Sequence, residues 1–145
     1  MKNLKICLVD DDNDDREIFE EAFKELNSEN SLIIFKNGLE IIDYLDKVEE
    51  IPHIIFLDLN MPIMGGLETL KEIRKNTRYK LLSVAIYSTS SSEKDIEETL
   101  AAGANIYITK PANFERLKDT LRKAIKINWQ YHAAELDKET FVLVV

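Results

Sequence analysis

Three aspartates in a row, Asp10-Asp11-Asp12, follow a short apolar run, Lys5–Val9. A second apolar run ends at Asp58, with Leu59-Asn60-Met61-Pro62 after it. A third ends at Ser88-Thr89, and a fourth at Lys110-Pro111. Carboxylates brought close together repel one another unless a cation or a shared proton intervenes. An oxygen-only donor set without His or Cys clusters selects a hard cation, Mg²⁺ or Ca²⁺. The spacing does not match the calcium loop of an EF-hand. Mg²⁺ is held by one or two carboxylates plus waters and phosphate oxygens, which suits this set. A lysine and a hydroxyl at the same rim can bind phosphoryl oxygens, and an aspartate there can act as a nucleophile. Such chemistry is mainly positioning and charge neutralisation around a transferring phosphoryl group.

These residues lie far apart in sequence, so the fold must bring them together. Five short runs, Lys5–Val9, Leu32–Phe35, Ile54–Leu57, Leu82–Tyr87 and Ile106–Thr109, are apolar and too short for helices. Continuous apolar runs of this length suit strands of a parallel sheet covered on both faces. Between them run stripes at helical spacing: Ile18, Phe19, Ala22, Phe23 and Leu26; Leu39, Ile42, Leu45 and Val48; Leu67, Leu70 and Ile73; Ile96, Leu100 and Ala101; Phe114, Leu117, Leu121, Ala124 and Ile125. The alternation predicts an α/β (βα)5 chain with right-handed crossovers and helices on both faces of the sheet. In open α/β sheets ligands bind outside the carboxyl ends of the strands, where all the polar residues above fall.

Composition bounds the rest. The chain has 145 residues, enough for one domain. It carries 27 acids against 19 bases, a net charge of -8, which disfavours nucleic acid and anionic membrane surfaces. One cysteine excludes an intrachain disulfide, and no apolar run is long enough for a signal peptide or a span, so a cytoplasmic protein is expected. Asp10–Glu21 holds eight acids against Arg16 alone, so much of the acidity is local. Asp12, Asp14 and Asp15 read as the start of a helix, with Asp14 and Glu17 in a capping arrangement. In the hydroxyl run after Ser88, Ser91 or Ser92 reads as a helix N-cap. Gly66 and Gly103 read as backbone geometry at a loop and a helix end. Cys7 reads as a small buried hydrophobe, and His53 and His132 as isolated.

Val9-Asp10-Asp11, Phe56–Pro62, Gly65-Gly66, Ser88-Thr89 and Lys110-Pro111 together resemble the motifs of response-regulator receiver domains of two-component systems. The resemblance covers roughly residues 4–128. It implies a flavodoxin-like, doubly wound five-stranded parallel sheet in the order 2-1-3-4-5. It also implies that Asp58 accepts a phosphoryl group from a histidine kinase or histidine phosphotransferase. Mg²⁺ would be held by Asp10, Asp11, Asp58 and the backbone carbonyl of Asn60. Ser88 and Lys110 would bind the phosphoryl group, and Ser88 and Tyr107 would form the switch. The Lys110-Pro111 bond resembles one that is cis in the family. Asp10–Asp15, Ser88–Ile96, Tyr107–Glu115 and Trp129 are similar to single-domain receivers serving phytochrome-type histidine kinases.

The expected division is a receiver over 1–128 and an extension over 129–145, continuing the last helix and ending in an apolar tail. The seventeen residues after Asn128 are too few for a DNA-binding unit with its own core, so output by contact with a downstream protein, or by passing the phosphoryl group on, is expected. The uncharged run Phe141–Val145 is a candidate for edge pairing in a homodimer, or for packing on its own domain. Two other functions compete: a constitutive docking module of the same fold, and a Mg²⁺-dependent phosphohydrolase. The latter often carries an aspartate two residues after the nucleophile, where this chain has Asn60.

Overall fold

The fold is known from a computed structural model, which describes residues 3–26, 29–134 and 143–144, the last two stretches beyond residue 128 by backbone only. Strands β1 (Lys5–Val9), β2 (Ser31–Phe35), β3 (Ile54–Leu57), β4 (Ser83–Ser88) and β5 (Ile106–Thr109) alternate with α1 (Asn13–Glu25), α2 (Gly38–Lys47), α3 (Gly66–Arg74), α4 (Glu93–Ala101) and α5 (Phe114–Ala134). All strand pairs are parallel, in the order 2-1-3-4-5 that the flavodoxin-like expectation requires. A two-residue β6 (Leu143–Val144) extends the sheet beyond β5, pairing Ile106 with Leu143 and Tyr107 with Val144. The rest of the tail, Phe141, Val142 and Val145, lies outside the described residues.

Alternate strand residues point to opposite faces, and both faces are mainly apolar because both are covered. Leu4, Ile6, Leu8, Phe56, Tyr87 and Ile108 pack under α1 and α5. Cys7, Val9, Leu57, Val84, Ile86 and Tyr107 pack under α2, α3 and α4. Helix α5 packs on the α1 face, and β6 lies outside β5.

The helical stripes differ from the sequence reading in detail. On α2 the buried residues are Gly38, Ile41 and Leu45, whereas Leu39 is 51% exposed. On α1 the core is Phe19, Ala22 and Phe23, and Ile18 is largely exposed. In both helices several apolar residues share a turn, so periodicity alone leaves two registers open. The α4 helix buries only Thr99 completely, with Ile96 and Leu100 half-buried. The N-cap of α1 is Asp12 rather than Asp14, its carboxylate accepting from the Asp15 amide at 2.9 Å. Ser92 caps α4. Gly103, at φ 109°, ends α4 in the left-handed region that favours glycine. Cys7 is buried, and burial pushes its thiol up to about 12, out of the reactive range. His53 accepts a backbone bond from Lys5 at 2.9 Å; the His132 side chain lies outside what is described. Among the described residues no helix is long and apolar enough to cross a membrane.

Candidate functional site

The strand ladders carry the site to one rim. The Asp10 amide donates to Phe35 O at 3.1 Å, the Asp58 amide to Val9 O at 2.9 Å and the Lys110 amide to Ser88 O at 2.7 Å. Each functional residue therefore sits where its strand's ladder ends, its backbone still held by the neighbouring strand. Behind Asp58 the chain turns back into α3, and Gly66 donates its amide to Leu59 O at 2.9 Å. A Cβ on Gly66 would strike the Asp58 carbonyl oxygen and come within 2.7 Å of Leu59 Cα. Glycine here is needed for close approach at the start of a helix, not for loop flexibility.

Asp10, Asp11 and Asp58 offer carboxylate oxygens that all lie within 4.8 Å of one another. Asp10 and Asp58 are buried and Asp11 is exposed, so the cluster opens to solvent on one side. Burial pushes the Asp58 carboxyl up to about 7, Lys110 partly opposes this, and the charges of Asp10 and Asp11 add to it. Asp10 is also held above the ordinary carboxylate range, chiefly by burial. An oxygen-only cluster in which burial disfavours the charges of Asp10 and Asp58 is a donor set that a hard divalent cation fits. Asn60 is exposed beside it.

Lys110 is the counter-charge. Its ammonium lies 3.0 Å from Asp10, 3.6 Å from Asp58 and 2.7 Å from Asp15, and 5.1 Å from the centroid of the Tyr87 ring. Burial disfavours its charge, but the bonds to Asp15 and Asp10 outweigh that and hold it above the ordinary lysine value. Asp15 is the residue that sequence reasoning left as a helix-start acid. Its one available signal is its spacing: it lies in the first turn of a helix that begins at the Asp10-Asp11 rim. The Lys110-Pro111 peptide is trans, as is every peptide bond among the described residues, which corrects the cis bond expected there.

Ser88 closes β4 and is fully buried, its Oγ accepting from the Ser90 amide at 3.1 Å. Tyr107 is also fully buried, and its hydroxyl donates to Ser90 O at 2.7 Å. Ser90 thus bonds both residues, through its amide and its carbonyl. Ser90 Oγ also donates to Asp95 of α4 at 2.6 Å. The sequence placed Ser88 and Tyr107 at this site; Ser90, which joins them, was hidden in a run of serines.

A doubly wound parallel sheet with an acidic cluster and a lysine at its carboxyl rim defines a flavodoxin-like α/β module. The chain belongs to the response regulator receiver domain family, whose profile matches residues 6–122. It is 33% identical to response regulator Rcp1 of Synechocystis over 117 residues, 77% of this chain and 80% of that protein. It is 30% identical to a chemotaxis protein CheY homolog of Campylobacter jejuni over 132 residues, 91% of this chain and all of that protein. Among solved structures, the phosphorylated cyanobacterial phytochrome response regulator RcpA superposes with a TM-score of 0.79 at 30% identity, covering 87% of this chain and 94% of that one. A Mn(2+)-bound form of Rcp1 superposes at 0.75 with the same identity and coverage.

Proposed function

We propose that the chain is a phosphoacceptor switch: Asp58 takes a phosphoryl group from a histidine kinase or histidine phosphotransferase, and the charge it gains alters a protein-interaction surface. The convergence of Asp10, Asp11, Asp58 and Lys110 at one strand rim carries this reading. Asp10, Asp11, Asp58 and the Asn60 carbonyl would hold Mg²⁺. When bound, the ion neutralises the cluster and the charge on the transferring phosphoryl group. The Mn(2+)-bound form of Rcp1 supports an acidic pocket that takes such ions.

The chain's own groups divide the work. An ionised Asp58 Oδ attacks phosphorus, the O–P bond forms as the donor's N–P bond breaks, and the donor imidazole leaves with the bonding pair. Lys110 stabilises the negative oxygens, and the Ser88 hydroxyl turns from the Ser90 amide to bond the phosphoryl group. Tyr107, tied to the same Ser90, shifts with it. With Asn60 two residues after Asp58, the position that carries the acid/base aspartate in such phosphohydrolases has no carboxyl, so turnover of phosphate esters should be poor. The setting is cytoplasmic, the downstream partner is a protein, and the segment after residue 128 is an extension to the receiver that pairs two copies or packs on its own sheet.

The test is incubation with a small-molecule phosphodonor and Mg²⁺, followed by intact-mass analysis. An adduct on the wild type, absent from Asp58→Ala and abolished by chelator, is expected. No Asp58-dependent adduct would remove the proposal.

A further inference from the structure

Resting on that reading, we infer that Asp15 is a positioning residue that holds the site lysine back from the phosphoacceptor and thereby slows phosphorylation of Asp58. The ammonium of Lys110 has three N–H groups to distribute among carboxylates. Its shortest contact is to Asp15, at 2.7 Å, and its longest in the site is to Asp58, at 3.6 Å. Asp15 is not part of the carboxylate cluster formed by Asp10, Asp11 and Asp58. It stands on α1, where Asp12 fixes its amide at 2.9 Å, so its carboxylate reaches Lys110 from a braced position. The lysine side chain is only 10% exposed, so water does little to weaken these pairings.

To stabilise charge on a phosphoryl group at Asp58, the ammonium must shift toward that residue and give up or lengthen one existing bond. The Asp10 bond is buried at both ends, whereas the Asp15 carboxylate is 36% exposed and can be resolvated when released. The Asp15 bond is therefore the one that yields, and breaking it adds to the barrier.

Asp15→Asn should therefore speed phosphorylation by a small anionic donor about two- to fivefold, the upper part of the range spanned by a partly exposed ion pair. Two controls separate positioning from charge. Asp14→Asn removes an equal charge one residue away and should leave the rate within about twofold. In a Lys110→Met background, where the tethered group is gone, Asp15→Asn should change nothing; Asp15→Glu should restore slow phosphorylation. A double-mutant cycle of Asp15 and Lys110 in urea unfolding measures the tether without any phosphodonor. Equal rates for Asp15→Asn and wild type, an equal gain from Asp14→Asn, a gain that survives Lys110→Met, or zero coupling in unfolding would each overturn the inference. A wild type that takes no phosphoryl group would instead sink the phosphoacceptor reading, and the unfolding cycle would then decide the tether by itself.

Discussion

The charge on Asp58 should destabilise the metal-free fold, and the size of that effect follows from its surroundings. Asp58 is 6% exposed, beside the buried Asp10, with Lys110 no closer than 3.6 Å. Burial holds its carboxyl near 7, against an ordinary value of 3.8. A group whose pKa is raised on folding binds more protons in the folded state across that window, so stability must fall as pH rises from about 4 to about 7. At about 1.4 kcal/mol per unit, three units amount to ~4 kcal/mol, and sharing of protons with Asp10 lowers the expectation to about 2–4 kcal/mol. Asp58→Asn keeps the shape of the protonated acid and cannot ionise. The two proteins should be equally stable near pH 4, within about 1 kcal/mol, because the wild type is then neutral at this position. Near pH 8 in chelator the variant should be more stable by about 2–4 kcal/mol, or about 6–12 °C in Tm. Added Mg²⁺ at 100 times its Kd should return about 2.7 kcal/mol to the wild type and much less to the variant. Urea unfolding across pH, with and without chelator, supplies every quantity. A stability gap that does not change with pH, or a wild type more stable than Asp58→Asn at pH 8 without metal, would refute the argument.

Other substitutions test the supports of the site. Gly66→Ala places a methyl against the Asp58 carbonyl and Leu59, and should cost about 1–3 kcal/mol in thermal unfolding while slowing phosphorylation of Asp58. Tyr107→Phe leaves Ser90 O without its 2.7 Å donor and should cost about 1 kcal/mol; hydrogen exchange over residues 93–101 should rise with it. Asn128 is fully buried on α5 and its amide makes no hydrogen bond among the described residues, so Asn128→Leu should raise stability by about 1–2 kcal/mol in the same assay.

The strands were legible because a parallel sheet buried on both faces demands unbroken apolar runs, and Lys5–Val9, Ile54–Leu57 and Ile106–Thr109 contain little else. Their order required the family resemblance, since parallel crossovers alone permit several. The rim residues were legible for a related reason: a strand that ends on Asp58 or Lys110 must deliver that residue to the carboxyl edge. Side-chain reach was not legible. A place in the first turn of α1 marks Asp14 as much as Asp15, so it does not tell which of the two meets a lysine 95 positions away. The same holds for Ser90 among its neighbouring serines, because its part depends on which way the β4–α4 turn presents its carbonyl. The helix registers of α1 and α2 were ambiguous because each carries more apolar residues than one face can bury.

A charge added at Asp58 has a short physical route to the surface, and the route explains why α4 is the element that would respond. Ser88, at the end of β4, has its hydroxyl engaged by the Ser90 amide. If that hydroxyl turns to a phosphoryl group, the Ser90 amide loses its acceptor and the β4–α4 turn is free to move. The same turn holds the Tyr107 hydroxyl through its carbonyl and Asp95 of α4 through the Ser90 side chain. One residue thus bears on the acceptor side, on β5 and on α4 at once. The helix it bears on has Thr99 as its sole fully buried residue, whereas α1 and α3 each bury three or more. An element with so little apolar burial is inexpensive to displace, by the rule that local stability follows buried contact. Among the described residues, the β5 edge beside it carries the two-residue β6. The surface formed by α4 and the β5 edge is therefore the part of the fold that should respond if a phosphoryl group is added at Asp58, because α4 buries so little of itself.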